Sequence, residues 1–244
     1  MRESPAPHAE PTALRTAWCS MTTPEPMLIE VWSDIACPFC YIGKRRLQAA
    51  IARSPHRDKI RVEWRSFQLQ PQLTTNPSLR INEYLSKSKG MPLAQVEQMQ
   101  SHVLAMGASE GISFAMDRVV VANTFNAHRL LQLAQSEGRG DAMKDRLLRA
   151  YFSEGANVDD AETLAALATE VGLERGAVTA MLAGDAFSDD VRRDLAEARE
   201  LRISGVPFFL FDRAYAIGGA QPPELFDQAI ARAFADRAAA ASAS

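Results

Sequence analysis

Two thiols stand two residues apart in Cys37-Pro38-Phe39-Cys40. They follow a strand-like run, Leu28-Ile29-Glu30-Val31-Trp32, and precede a helix-like run from Tyr41 to Ala52. That order puts both sulfurs in the first turn of a helix, where free backbone N–H groups and the helix dipole favour negative charge. The thiolate attacks in thiol–disulfide exchange, so the position favours a reactive cysteine, an exposed Cys37 titrating below the free value of about 8.5. Residues three apart on a helix share a face, so Cys40 can close a disulfide with Cys37 and release a trapped partner. The chemistry this spacing points to is redox exchange.

Two other uses of the same spacing are weaker. Half a zinc site needs two further ligands. The remaining cysteine is Cys19, near the N-terminus, and His8, His56, His102 and His128 are scattered without ligand spacing. No metal is therefore expected. A purely structural disulfide across so short a loop would restrict the unfolded chain little.

The chain of 244 residues is 47% hydrophobic and 23% charged, ordinary values for a globular protein. Its formal charge of −3 gives no reason to expect nucleic acid or an anionic membrane as partner. No apolar run approaches the length that spans a bilayer. Residues 1–26 carry Pro5, Pro7, Pro11, Pro24 and Pro26 without an apolar signal core. A disordered leader is expected there, with Met21 or Met27 as alternative starts. A cytoplasmic location follows as an expectation, and in that compartment a C-x-x-C is more often catalytic than structural.

The elements that must position the thiols are legible as patterns. Met27–Trp32 reads as one strand; Lys59–Phe67 reads as another, with Ile60, Val62 and Trp64 alternating against Arg61, Glu63 and Arg65. Phe208–Phe211 and Ala214–Ile217 read as a hairpin around Asp212-Arg213. A helix begins at Pro222-Pro223 and presents Leu225, Phe226, Ala229, Ile230 and Phe234. Between the second strand and the hairpin the signals are helical: Pro92–Ala108, Ala122–Glu137, a run capped by Asp141 as far as Phe152, one capped by Asp160, and Ser188–Arg202. Strand, helix, strand, a block of helices, then hairpin and helix implies an α/β domain opened by an all-helical insertion. The expected units are 27–80 with 188–235 for the α/β domain, 81–187 for the insertion, and a flexible tail at 236–244.

Four stretches carry a family resemblance: Trp32 to Cys40, Asn123 to Leu130, Ser204-Gly205-Val206-Pro207-Phe208-Phe209, and Gly219-Ala220-Gln221-Pro222-Pro223. On these the chain, from about Met27 to Phe234, resembles the DsbA-like branch of the thioredoxin superfamily and within it the FrnE-like group. The resemblance implies a thioredoxin-like fold with a helical insertion. It implies Cys37 as nucleophile and Cys40 as resolving thiol. Val206 and Pro207 would form a cis peptide facing them and, with Phe39, contact substrate. Glu30 falls near the place of a buried acid that shuttles a proton to the resolving thiol, one residue further from the first cysteine than in relatives; a solvent-paired glutamate on an edge strand is the alternative. No bound cofactor is implied. Partners would be protein thiols and disulfides. Relatives with a second cysteine pair in a C-terminal extension relay electrons internally; here no cysteine follows Phe234, so glutathione or a thioredoxin-like donor would act from outside.

Three activities compete. The first is disulfide oxidation, reduction or isomerisation on proteins. The second is glutathione-dependent transfer or isomerisation, as in kappa-class transferases and chromene-carboxylate isomerases, which typically hold serine at the first cysteine position. The third is a chaperone-like module that holds apolar segments. Trp32, Tyr41, His128, Arg129 and Asn123 lie close enough in pattern to suggest site roles, but core packing for Trp32 and His128 and helix capping for Asn123 explain them as well.

Overall fold

β1 (Met27–Ser33) is buried along nearly its whole length, as expected of a central strand rich in Ile, Val and Trp. A computed structural model describes residues 25–242. After β1 the chain turns into α1 (Pro38–Arg53), whose first position is a proline with no N–H to leave unsatisfied. β2 (Ile60–Ser66) then lies parallel to β1, from Met27 opposite Ile60 to Ser33 opposite Ser66.

The insertion follows. β3 (Asn76–Arg80) leads into α2 (Ile81–Lys89) and α3 (Leu93–Ser109); β4 (Val120–Val121) returns to pair with β3, and α4 (Phe125–Ser136) follows. α5 (Gly140–Arg149) runs into a π-helical turn at Ala150–Glu154, and α6 (Ala161–Glu170) and α7 (Arg175–Ala183) complete the block. The chain re-enters the sheet through α8 (Ser188–Glu200), β5 (Phe208–Phe211) and β6 (Tyr215–Gly218), and ends in α9 (Pro223–Ser242). Strand order is β2-β1-β5-β6, with β5 antiparallel to both β1 and β6. Asp212 and Arg213 both take positive φ, the backbone a tight hairpin requires. This is the expected α/β plan: a thioredoxin-like sheet opened by a helical insertion.

The alternation along β1 divides the core. Ile29 and Val31 pack with Ile42 and Leu47 of α1, and that apolar cluster continues without a break into Leu130, Leu147 and Leu164 of the inserted helices. Trp32 points the other way, onto Ala198 and Ile203 beside α8.

Several sequence expectations need correction. β3, assigned by sequence to the α/β unit, pairs with β4 inside the insertion and not with the four-stranded sheet. Asp141 does not cap α5, whose preceding residue is Arg139; its carboxylate instead accepts from Lys44, Gln48 and Trp64. Asp160 does cap α6, accepting from the Thr163 N–H. Residues 236–242 are not a loose tail but the last turns of α9, which is alanine-rich there and therefore strongly helix-forming. Arg237 in that segment pairs with Asp212 and donates to the Glu25 and Pro26 carbonyls. Residues 1–24 of the expected leader, including Cys19, lie outside the described residues.

Candidate active site

Cys37 occupies the cap position before α1 and Cys40 the third helical position, with the Cys40 N–H donating to the Cys37 carbonyl at 3.0 Å. Both cysteines are free thiols, and both are more buried than the sequence implied: Cys37 is 4% exposed and Cys40 1%. The Cys37 thiol donates to the Val206 carbonyl at 3.5 Å.

The two sulfurs titrate as a pair. Cys37 is pushed well above the ordinary thiol value by its hydrogen bond to Cys40, by burial and by negative charge on Cys40. Burial pushes Cys40 up too. The Cys37 hydrogen bond, the Lys144 charge, the Ser33 hydroxyl and the Asp34 N–H outweigh that, and Cys40 falls below its ordinary value. The expected depression at Cys37 therefore appears one turn deeper, at Cys40. One proton shared between two sulfurs leaves the anion on whichever is better solvated by donors. Cys37 is the sulfur that faces the loop holding Val206.

Below the pair lies a buried polar cluster contributed by both parts of the fold. Asp34, between β1 and α1, accepts from the Leu69 N–H at 2.8 Å and from His128 Nε2 of α4 at 3.2 Å. Burial alone would raise the Asp34 carboxyl; the His128 contact, the Leu69 N–H and the Thr124 hydroxyl bring it below its ordinary value. His128 is fully buried, and its Nδ1 has no partner. Ser33 Oγ is buried and makes no hydrogen bond of ordinary geometry, while standing near enough to the Cys40 sulfur to favour its thiolate. Lys144 of α5 is fully buried and donates to the Ser33 carbonyl at 3.3 Å.

The loop opposite the thiols is held by close packing. The Val206–Pro207 peptide is cis. A Cβ built on Gly43 would stand 3.0 Å from both the Pro207 ring and the Phe209 ring, so α1 meets β5 here only because residue 43 has no side chain. Gly43→Val is expected to destabilise the protein by about 2 kcal/mol despite the removal of a helix-interior glycine. It should also slow exchange by moving Val206 away from Cys37. Urea denaturation and an exchange assay check the two effects; unchanged values in both would mean the contact yields freely.

The strand-to-helix C-x-x-C thus lies beneath a Val-Pro loop that meets its first sulfur. The family model for the DSBA-like thioredoxin domain matches residues 28–231. The chain belongs to that family. The crystal structure of the "probable DsbA oxidoreductase SCO1869" of Streptomyces coelicolor is 41% identical to this DSBA-like chain. It covers 86% of the chain and 90% of its own, at a TM-score of 0.80. The YwbO protein of Bacillus subtilis (strain 168) is 29% identical over 83% of this chain and 94% of its own. The cytosolic disulfide reductase DsbM of Pseudomonas aeruginosa, solved with glutathione, shares the fold at 18% identity and a TM-score of 0.60, over 84% of this chain and 98% of its own.

Within this DSBA-like domain the structure separates the residues that sequence grouped. Cys37, Cys40, Val206 and Pro207 come together. Phe39 is half-buried beside them, whereas Trp32 and Tyr41 are core, Trp32 donating from Nε1 to the Asp194 carbonyl. Glu30 is elsewhere. It shares a face of β1 with Trp32, away from α1, and its Oε1 is held by Arg65 at 2.6 Å and Arg213 at 2.7 Å. A carboxylate so engaged on the far side of the sheet does not serve Cys40. Arg129 ties down the end of α7 through the Met181 and Gly184 carbonyls, and Asn123 Oδ1 accepts from the Phe125 N–H at the start of α4. Sequence reasoning missed Asp34, Ser33 and Lys144. For Lys144 a signal existed: it stands on the stripe of Leu147, Leu148 and Tyr151, where an apolar side chain is expected.

Proposed function

We propose that this protein carries out thiol–disulfide exchange on protein substrates through Cys37 and Cys40, within the FrnE-like part of its family. The observation that carries the reading is the pair of free thiols at the start of α1, with the Val206 carbonyl accepting from Cys37 at 3.5 Å. A Cys37 thiolate attacks a substrate disulfide and forms a mixed disulfide. Cys40 then attacks Cys37, expelling the second substrate thiol and leaving Cys37 joined to Cys40. The reverse sequence oxidises a substrate dithiol. Thiols at both motif positions favour exchange over glutathione transfer or isomerisation, for which the second thiol has no use. Phe39 and the backbone of Val206 are the proposed substrate contacts. The protein would work in the cytoplasm, with glutathione or a thioredoxin-like donor returning the pair to the dithiol; no helix of the described residues is long and apolar enough to cross a membrane.

Equilibration against reduced and oxidised glutathione, read by alkylation of the remaining thiols, tests the reading. A reversible two-electron transition confined to Cys37 and Cys40, with turnover of a protein disulfide in the same buffer, is the expected result. A pair that neither oxidises nor exchanges sinks it.

A further inference from the structure

Among the described residues two lysines are fully buried, and they are not equivalent. Lys44 has counter-ions: Asp141 at 3.2 Å and Asp145 at 3.5 Å. Lys144 has none within ion-pair distance among the described residues; its Nζ donates to the Ser33 carbonyl at 3.3 Å and lies 5.6 Å over the Trp64 ring. An ammonium removed from water without a carboxylate is costly, and such a group persists where it meets a charge that appears elsewhere in the cycle. Beside it is a second unfinished group, the Ser33 hydroxyl, which makes no hydrogen bond of ordinary geometry. Ser33 closes β1 four residues before Cys37, which brings both groups to the thiol turn, and both favour the Cys40 thiolate.

We propose that Lys144 is the counter-ion and proton acceptor of the resolving thiol, with the Ser33 hydroxyl as the second donor to its thiolate. The inference rests on the exchange reading above and adds the group that replaces the expected carboxylate shuttle. In the mixed disulfide, Cys40 gives its proton to the Lys144 amine and becomes a thiolate beside an ammonium. A thiolate electron pair forms the new bond to Cys37 Sγ; the bond from Cys37 to the substrate sulfur breaks, and that sulfur leaves with the bonding pair. With the thiolate consumed, the Lys144 ammonium has lost its partner and releases the proton, which the departing substrate thiolate takes up through solvent. One proton has passed from Cys40 to the departing substrate sulfur, and over both steps the two cysteines together have given the substrate disulfide two electrons.

The surroundings give the sign. Burial pulls the Lys144 amine down, Cys40, Asp34 and Cys37 push it up, and Lys44 pulls it down, leaving it at about 8. That is close enough to neutrality for both protonation states to be reached in turnover. Lys44 is itself paired with Asp141 and Asp145 of α5, Asp34 is paired with His128 of α4, and Tyr151 after α5 is held protonated by burial. Closing the disulfide removes the cysteine charges, so the Lys144 amine should then titrate lower.

The test isolates Cys40 in a Cys19→Ser, Cys37→Ser protein and follows its thiolate absorbance against pH, with and without Lys144→Met. This readout requires no turnover, so it stands apart from failure of the exchange reading, which the glutathione titration detects. Lys144→Met is expected to raise the Cys40 midpoint by about one pH unit, tenfold in proton affinity. In the protein with Cys37 intact it should slow decay of the Cys37–glutathione mixed disulfide at neutral pH by a similar factor, and Lys144→Arg should recover part of both. A merely structural lysine would change thermal stability and leave the midpoint where it was, which would overturn the proposal. Should Lys144→Met fail to fold, NMR of labelled lysine in the unaltered protein decides: the Lys144 midpoint must fall on oxidation, and an unchanged midpoint overturns the proposal equally.

Discussion

Cys40→Ser is expected to turn exchange into capture: substrate mixed disulfides accumulate on Cys37, because attack survives and release does not. Cys37→Ser is expected to reduce disulfide turnover by about a thousandfold or more, the scale on which loss of a covalent nucleophile is felt. The fold should tolerate both changes. Serine is smaller than cysteine by little, and a hydroxyl in place of the Cys37 thiol can still donate to the Val206 carbonyl that the thiol now meets. Non-reducing gels and mass spectrometry after incubation with a disulfide-bonded protein check the pair of outcomes. The asymmetry is the informative part. Capture by Cys37→Ser instead would assign attack to Cys40, the thiol whose titration is lowered. Burial argues against that, since Cys40 lies beneath Cys37 with the Ser33 and Lys144 donors around it. Because Cys37 sits high and Cys40 low in titration, alkylation of the unaltered pair should show two well-separated steps belonging to the pair jointly.

The part of this site that sequence made legible is the part built from neighbours in the chain. The C-x-x-C between a strand run and a helix run placed both thiols, and the Gly-Val-Pro before Phe208 placed the loop that faces them. What sequence left hidden depends on long-range meetings. Asp34 and His128 are 94 residues apart, and only the docking of α4 against the start of α1 makes them partners. Glu30 was misjudged by distance along the chain, although alternation already puts it on the face of Trp32 while Ile29, Val31 and Ser33 face α1. The expected depression of Cys37 treated one thiol at a helix start in isolation. The second sulfur, a hydrogen bond away, reverses the direction for Cys37 and takes the depression for itself. Lys144 could have been noticed as a charge on an apolar stripe, but nothing in the sequence says which group it would meet.

The face of the sheet away from the thiols predicts a large effect on stability. Asp194 of α8 is buried against β2 and α4: its Oδ2 accepts from the Ser66 N–H at 2.7 Å and from Gln132 Nε2 at 2.6 Å, and Oδ1 meets Arg65 at 3.3 Å. Burial raises its carboxyl above the ordinary value against these donors, so the charge is held at a cost and is justified only by having all of them. Asp194→Ala removes one acceptor and leaves a backbone N–H, a side-chain amide and part of a guanidinium facing a void. The expected loss is about 3 kcal/mol. Asp194→Asn should lose less, because its carbonyl oxygen can still serve Ser66 and Gln132, while its amide faces Arg65 unfavourably. Glu30 keeps Arg65 in place in both variants, which confines the damage to the junction of α4, α8 and β2. Denaturation midpoints in the order unaltered, Asn, Ala would bear this out. The thiol titration should stay as in the unaltered protein, since this face has no contact with Cys40; equal midpoints for all three would mean that solvent replaces the carboxylate and that the insertion is fastened by its apolar contacts alone.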